Sequence, residues 1–204
     1  CFWEVSSSSI NCRWRFYAKG GDYRQYYGNL TFVVDWSDSA RSFYSTNKTS
    51  NLLGEEFWYK PGITYSAITS RWTGFRYLPE GFIFDKGGPS ITLRNKILEI
   101  LALLNTNVAK YYFWVFKPSI NLQVKDIKNL PILLPQDGAV EEMASVNLRL
   151  CEEDWNAFET SWNFNTHPLV KIAKEGGSQY FALNSCFTLW KERCDKNFSQ
   201  LQSN

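Results

Sequence analysis

The sequence holds a single histidine, His167, among 204 residues, and its five cysteines (Cys1, Cys12, Cys151, Cys186, Cys194) include no Cys-x-x-Cys pair. Zinc sites need thiolate and imidazole donors at short, regular spacings, so a structural zinc site is poorly supported, and free thiols in a reducing cytoplasm are the simpler expectation. The longest apolar run, Ile97 to Phe116, contains Glu99, Asn105, Asn107 and Lys110. Each of these would be costly in hydrocarbon, so the run reads as a buried or amphipathic helix rather than a membrane span. No signal-peptide pattern is present either, and the expected location is cytoplasmic, with no membrane partner. Beginning at Cys1 without an initiator Met, the sequence reads as an excised fragment. A strong excess of one charge is also missing, since 22 Lys and Arg stand against 20 Asp and Glu.

The distribution of charge says more than the total. Residues 1–135 carry 16 Lys and Arg against 10 Asp and Glu (net +6), whereas residues 136–204 carry 6 against 10 (net −4). One half is therefore suited to facing phosphates and the other is not. With 44% hydrophobic and 17% aromatic residues, the chain has ample material for a packed core and is not disordered.

Short aromatic and β-branched runs (Leu30 to Trp36, Phe57 to Lys60, Thr64 to Ile68, Gly81 to Asp85) read as strands, punctuated by turns at Pro61-Gly62 and Gly87-Gly88-Pro89. The polar stretch Ser37 to Gly54 reads as a surface loop or a helix-bearing insertion. Asn95 is a plausible N-cap for one helix running to Phe116, stopped by Pro118, with apolar residues at three- and four-residue steps. Strands over Ser119 to Val124 and Leu130 to Leu134 are expected next, around a turn at Lys125 to Asn129. Helical patterns follow from Val140 to Phe158 and from Ser178 to Gln200, with a broken stretch through Pro168 between them. This order predicts an α+β domain over 1–135 and a helical appendage over 136–204.

Three clusters are candidates for contacting an anionic partner. Lys19, Gly20, Gly21 and Arg24 combine cations with paired glycines that let a backbone approach a phosphate closely. Lys86, with Gly87-Gly88-Pro89 and Ser90, offers a cation beside hydroxyls on a tight turn. In a strand, Lys117, Ser119, Asn121 and Gln123 would share one polar face while Ile120, Leu122 and Val124 face the core; Asn and Gln can pair bidentately with adenine. Trp14, Phe16, Tyr26 and Tyr27 are better read as packing residues. Asp126-Ile127-Lys128 fits the short pattern of a magnesium-dependent nuclease, but it fits a capped helical turn equally well. Cys151 lies among Glu152, Glu153 and Asp154, whose charges would raise its thiol pKa. Lacking nearby partners in sequence, His167 reads as structural.

Leu101-Ala102-Leu103-Leu104-Asn105-Thr106, followed by Asp126-Ile127-Lys128-Asn129-Leu130-Pro131-Ile132-Leu133-Leu134-Pro135, resembles the close of a target-recognition domain. Such domains are the DNA-reading modules of type I restriction specificity subunits and of fused restriction-methylation enzymes. Lys19-Gly20-Gly21 through Tyr27-Gly28-Asn29, Gly62 to Ser66, Arg76 to Asp85, and Asp154-Trp155 through His167-Pro168-Leu169 are similar to segments of the BREX (PglX) family of adenine-specific DNA methyltransferases. Tyr26 departs from that pattern, which usually has Trp.

The resemblance implies a twisted mixed sheet with a central helix, then spacer helices. It also implies a module that reads double-stranded DNA beside a methyltransferase catalytic domain of the same parent chain. Adenine-N6 methylation needs an Asp/Asn-Pro-Pro-aromatic loop and a glycine-containing turn for S-adenosylmethionine. The sequence has neither a Pro-Pro pair nor a Gly-x-Gly. The expectation is therefore no catalytic residue, no cofactor and no metal in this fragment, with S-adenosylmethionine used by the parent. The alternatives are an aromatic-rich carbohydrate- or protein-binding module, or the nuclease just described.

Overall fold

The computed structural model describes residues 1–69, 72–116, 120–135, 137–176 and 182–204. Two three-stranded sheets are built from the aromatic-rich first part. In one, β1 (Trp14–Ala18) lies between antiparallel β2 (Phe32–Asp35) and parallel β5 (Ile83–Phe84). In the other, β3 (Gly62–Tyr65) is flanked by β4 (Phe75–Leu78) and β6 (Ser90–Thr92), both antiparallel. No sheet strand follows β6 among the described residues.

Asp35 closes the first sheet. Its Oδ2 accepts from Arg13 Nε (2.9 Å) and Nη2 (2.6 Å), and its Oδ1 accepts the Ser37 amide (3.0 Å). The Arg13 bond, followed by the Ser37 amide, lowers the Asp35 pKa from 3.8 to about 2. A carboxylate with a depressed folded pKa contributes stability that is present above the ordinary pKa and is lost as pH falls through the folded one. Asp35→Asn should therefore flatten the acid limb of stability between about pH 4 and pH 2. The effect should be small and salt-sensitive, because Arg13 is well exposed. An unchanged acid denaturation curve would refute it.

Helix α1 (Asp38–Thr46) fills the Ser37 to Gly54 insertion, with the Ser37 hydroxyl accepting the Ala40 amide at its N-terminus. The expected strand over Phe57 to Lys60 does not form. Glu55–Phe57 is a single 3-10 turn, Tyr59 is left-handed (φ 63°), and Trp58 packs edge-on against Trp36 while its indole N–H donates to the Leu53 carbonyl.

The expected single helix is two: α2 (Ile97–Asn105) and α3 (Asn107–Phe116). Thr106 divides them. Its backbone is extended (ψ 159°), while its hydroxyl accepts the Ala109 amide at 3.1 Å and so caps the second helix. The N-cap position of α2 is held by Lys96, in a left-handed conformation, rather than by Asn95.

The strand expected from Ser119 reduces, among the described residues, to one bridge between Asn121 and Ile68. Only Leu122 of the three apolar positions is buried; Ile120 and Val124 are 61% and 46% exposed. The alternation fails because Gln123 starts a short helix, α4 (Val124–Lys128), where a turn was expected. Its N-terminus is closed by Asp126, whose Oδ2 accepts the Gln123 amide (2.9 Å). After Leu130 the chain is irregular, with Pro131 and Pro135 contributing no amide donor to a ladder.

Helices α5 (Ala139–Asn156), α6 (Pro168–Glu175) and α7 (Leu183–Ser203) complete the chain. His167 caps α6, its Nδ1 accepting the Leu169 amide (3.3 Å), and its ring lies edge-on to Trp190 of α7.

Two cores result. One joins β3 and β4 to the helix pair through Ile63, Tyr65, Phe75, Leu101, Leu104 and Phe113. The other joins Ala18, Tyr27, Leu78, Phe82 and Phe84 to Trp155 of α5, with Leu148 and Cys151 packed against it. Helix α5 also packs along α2. Helix α5, which begins at Ala139, therefore packs against residues on the N-terminal side of 135.

Candidate functional site

Four backbone segments meet around the Lys19-Gly20-Gly21 loop. Gly88 lies against it so closely that a β-carbon there would sit 2.6 Å from Lys19 Cα and 2.7 Å from the Ala18 carbonyl oxygen, which explains the glycine. A β-carbon at Gly20 would be 3.4 Å from both the Gly87 carbonyl oxygen and Ser66 Oγ. The Ser66 hydroxyl accepts the Gly21 amide (3.0 Å) and donates to the Gly21 carbonyl (3.1 Å). The strand end after Ser66 then pairs with the loop before α4. The Leu122 amide donates to the Ala67 carbonyl (2.8 Å), and the Thr69 amide donates to the Ile120 carbonyl (3.3 Å).

Lys19, Lys86, and Asn121 with Gln123 thus come from three segments connected through the 66–69 strand end, and all four residues are exposed. Lys19 Nζ rests 5.5 Å from the centre of the Phe32 ring. Beside Gln123, α4 adds the exposed Lys125 and Lys128. Ser66 and the exposed Ile68 and Ile120 were not picked out as site residues by sequence reasoning. Ser66 was visible only as the last residue of the Gly62 to Ser66 segment, with nothing to pair it with Gly21.

Other expected site residues have different occupations. Lys117 and Ser119 lie outside the described residues. The Arg24 guanidinium sits 4.8 Å from the centre of the Trp155 ring and pairs with Asp154 at 3.4 Å, which ties the first sheet to α5. Ser90 lies in β6, paired with β3, and its hydroxyl oxygen is buried with no hydrogen-bond partner among the described residues. The glycine amides of the second cluster are not open to a ligand. Gly87 (2.7 Å) and Gly88 (3.1 Å) both donate to Asp85 Oδ1. Contact with an anion would accordingly run through the lysine side chains.

The segment following Arg24 works as a clasp. Tyr26 is left-handed (φ 61°); its amide donates to the Phe75 carbonyl (2.8 Å) and its carbonyl accepts the Tyr77 amide (2.7 Å). Gln25 Nε2 donates to the Asn105 carbonyl (3.1 Å). Tyr26 and Tyr27 reach α5 at Asn147 and Glu152 respectively. Burial, with a smaller contribution from Asp154, pushes the Cys151 thiol up to about 11 and leaves it a poor nucleophile. All five cysteines are free.

Asp126, the carboxylate of the nuclease-like triplet, is engaged in capping α4. Among the described residues no three His, Cys, Asp or Glu side chains gather where they could hold a metal ion. No helix among them is long and apolar enough to cross a membrane.

Compared with known proteins, this chain is related to a segment of adenine-specific methyltransferases. Relatives include PglX of Lacticaseibacillus casei (strain Zhang), 31% identical over 199 residues that make up 94% of this chain and 16% of the relative, and BrxX of Escherichia coli (strain HS). BrxX is 29% identical over 178 residues, 82% of this chain and 14% of the relative. The chain therefore spans about a sixth of the length of the curated relatives it matches. No protein-family model matches it.

Proposed function

We propose that this chain is the sequence-reading segment of an adenine-N6 DNA methyltransferase from a restriction-modification or BREX-like phage-defence system. Its partner is double-stranded DNA, and its architecture is a variant of the target-recognition domain of type I specificity subunits. Methyl transfer from S-adenosylmethionine belongs to a catalytic domain of the same parent protein. The observation that carries this reading is the backbone contact, through the 66–69 strand end, of the loops that bear Lys19, Lys86, and Asn121 with Gln123. Cations there neutralise phosphates and position the duplex, while the amide side chains read base edges.

Fluorescence anisotropy with duplex DNA across a salt series tests the reading. Affinity should fall steeply with salt, by roughly 0.9 units of log–log slope for each phosphate neutralised. Lys19→Ala and Lys86→Ala should weaken all sequences alike and each reduce the slope by about one unit. Gln123→Ala should relax preference at one position, worth about 1–3 kcal/mol if the contact is bidentate. Salt-independent binding, or lysine variants that bind as well as the parent, would refute the assignment.

A further inference from the structure

A cavity of about 420 Å³ lies on none of the segments just described. It opens between β1, the corner after β4, the last turns of α5 and residues 161–163. Phe16, Tyr77, Phe82 and Trp162 line it together with Glu80 and Glu152, and none of its lining residues is Lys, Arg or His. Phe16 stacks on Phe82 (centroids 5.2 Å apart) and meets Trp162 edge-on (5.4 Å), so the aromatic wall is preassembled. Tyr27, also in the lining, lies beside Glu152. Arg24, which lies over Trp155, is paired with Asp154.

We infer that this cavity is a binding site for an alkylammonium group, either a free amine or a lysine side chain presented by another polypeptide. The faces of aromatic rings attract cations, and the attraction grows as water is excluded. Two carboxylates in a lining that holds no basic side chain supply the counter-charge and repel phosphate, so nucleotides and the DNA backbone are poor occupants. The volume lies within the ordinary range of small-molecule sites. The exposed rim of Trp162 (40%) gives access.

The test follows the indole N–H resonances of the chain by NMR during titration with spermidine, choline and a blocked lysine, with adenosine monophosphate as the anionic control. Trp162→Phe assigns the reporter resonance. At least one of the three amines should shift it saturably, while adenosine monophosphate should not. The tighter binder, free amine or blocked lysine, names the natural source.

Glu152→Gln removes the charge and should weaken binding about tenfold. Glu80→Gln, on an exposed turn, provides a second variant if the first is unstable, and Lys19→Ala should have no effect. Absence of saturation with all three amines, equal binding by both carboxylate variants, or comparable binding of adenosine monophosphate would each overturn the inference.

Discussion

Asn105→Ala should lower the unfolding free energy by about 2–4 kcal/mol, although the residue is polar and shows only 6% of its surface. Its side-chain amide acts as a piece of backbone. Asn105 Oδ1 accepts the Phe75 amide (3.1 Å), and Nδ2 donates to the Phe75 carbonyl (2.9 Å) and to the Leu101 carbonyl (3.1 Å). The side chain thus pairs with β4 as a neighbouring strand would, and it does so from the end of a helix. Gln25 closes over it from the other side. With Ala at 105, the Phe75 N–H is left buried without an acceptor, and burying an unpaired polar group is costlier than the net gain of an ordinary hydrogen bond. Asn105→Asp should fail similarly, since it keeps the acceptor but loses the donor and buries a charge. Urea melts of both variants check this; midpoints unchanged from the parent would mean that the amide is dispensable.

Arg76→Met should leave the chain as stable as the parent or raise its stability by about 1–4 kcal/mol. Arg76 lies in β4 opposite Thr64 and is 1% exposed. Its Nε and Nη2 find no hydrogen-bond partner among the described residues. Burial, reinforced by the nearby charge of Arg24, pulls its pKa down to about 10. The sign of that shift is unfavourable to the folded state: the folded chain binds this proton less tightly than the unfolded chain does. The penalty is therefore constant through neutral pH and eases only as pH rises from about 10 towards 12.5. Met preserves most of the volume without the charge. A large loss of stability in the thermal melt of Arg76→Met would show that the guanidinium has a compensating partner.

Much of the secondary structure was legible because its signals are local. The α5 periodicity and the Leu30 to Trp36 run each depend on residues within a few positions. The caps at Ser37, Thr106 and His167 are as local but went unread: Ser37 opens a polar stretch, the apolar run on both sides masks Thr106, and histidine is an uncommon cap. What could not be read were the long-range pairings. Nothing local shows that the Gln25-Tyr26 segment is held by Asn105 and Phe75, or that Arg24 is taken up by Trp155 and Asp154, 130 residues away. Basic residues beside aromatics suit a phosphate-facing loop and a buried clasp equally well. In this chain Lys19 takes the first role in our proposal and Arg24 the second. The glycine pairs were ambiguous in the same way, because close approach to another strand selects glycine as strongly as close approach to a ligand.

Trp155 sets a limit on how such modules can be exchanged. Because its ring completes the core around Tyr27, Leu78 and Phe82, a chimera spliced at residue 135 would carry a hole in its interior and an exposed apolar floor. On our proposal, swapping recognition between relatives has to move the first sheet and α5 as one heritable block, with crossovers beyond Asn156. Variation that alters target choice would then fall on the exposed positions Lys19, Lys86, Asn121 and Gln123, none of which belongs to the Trp155 core.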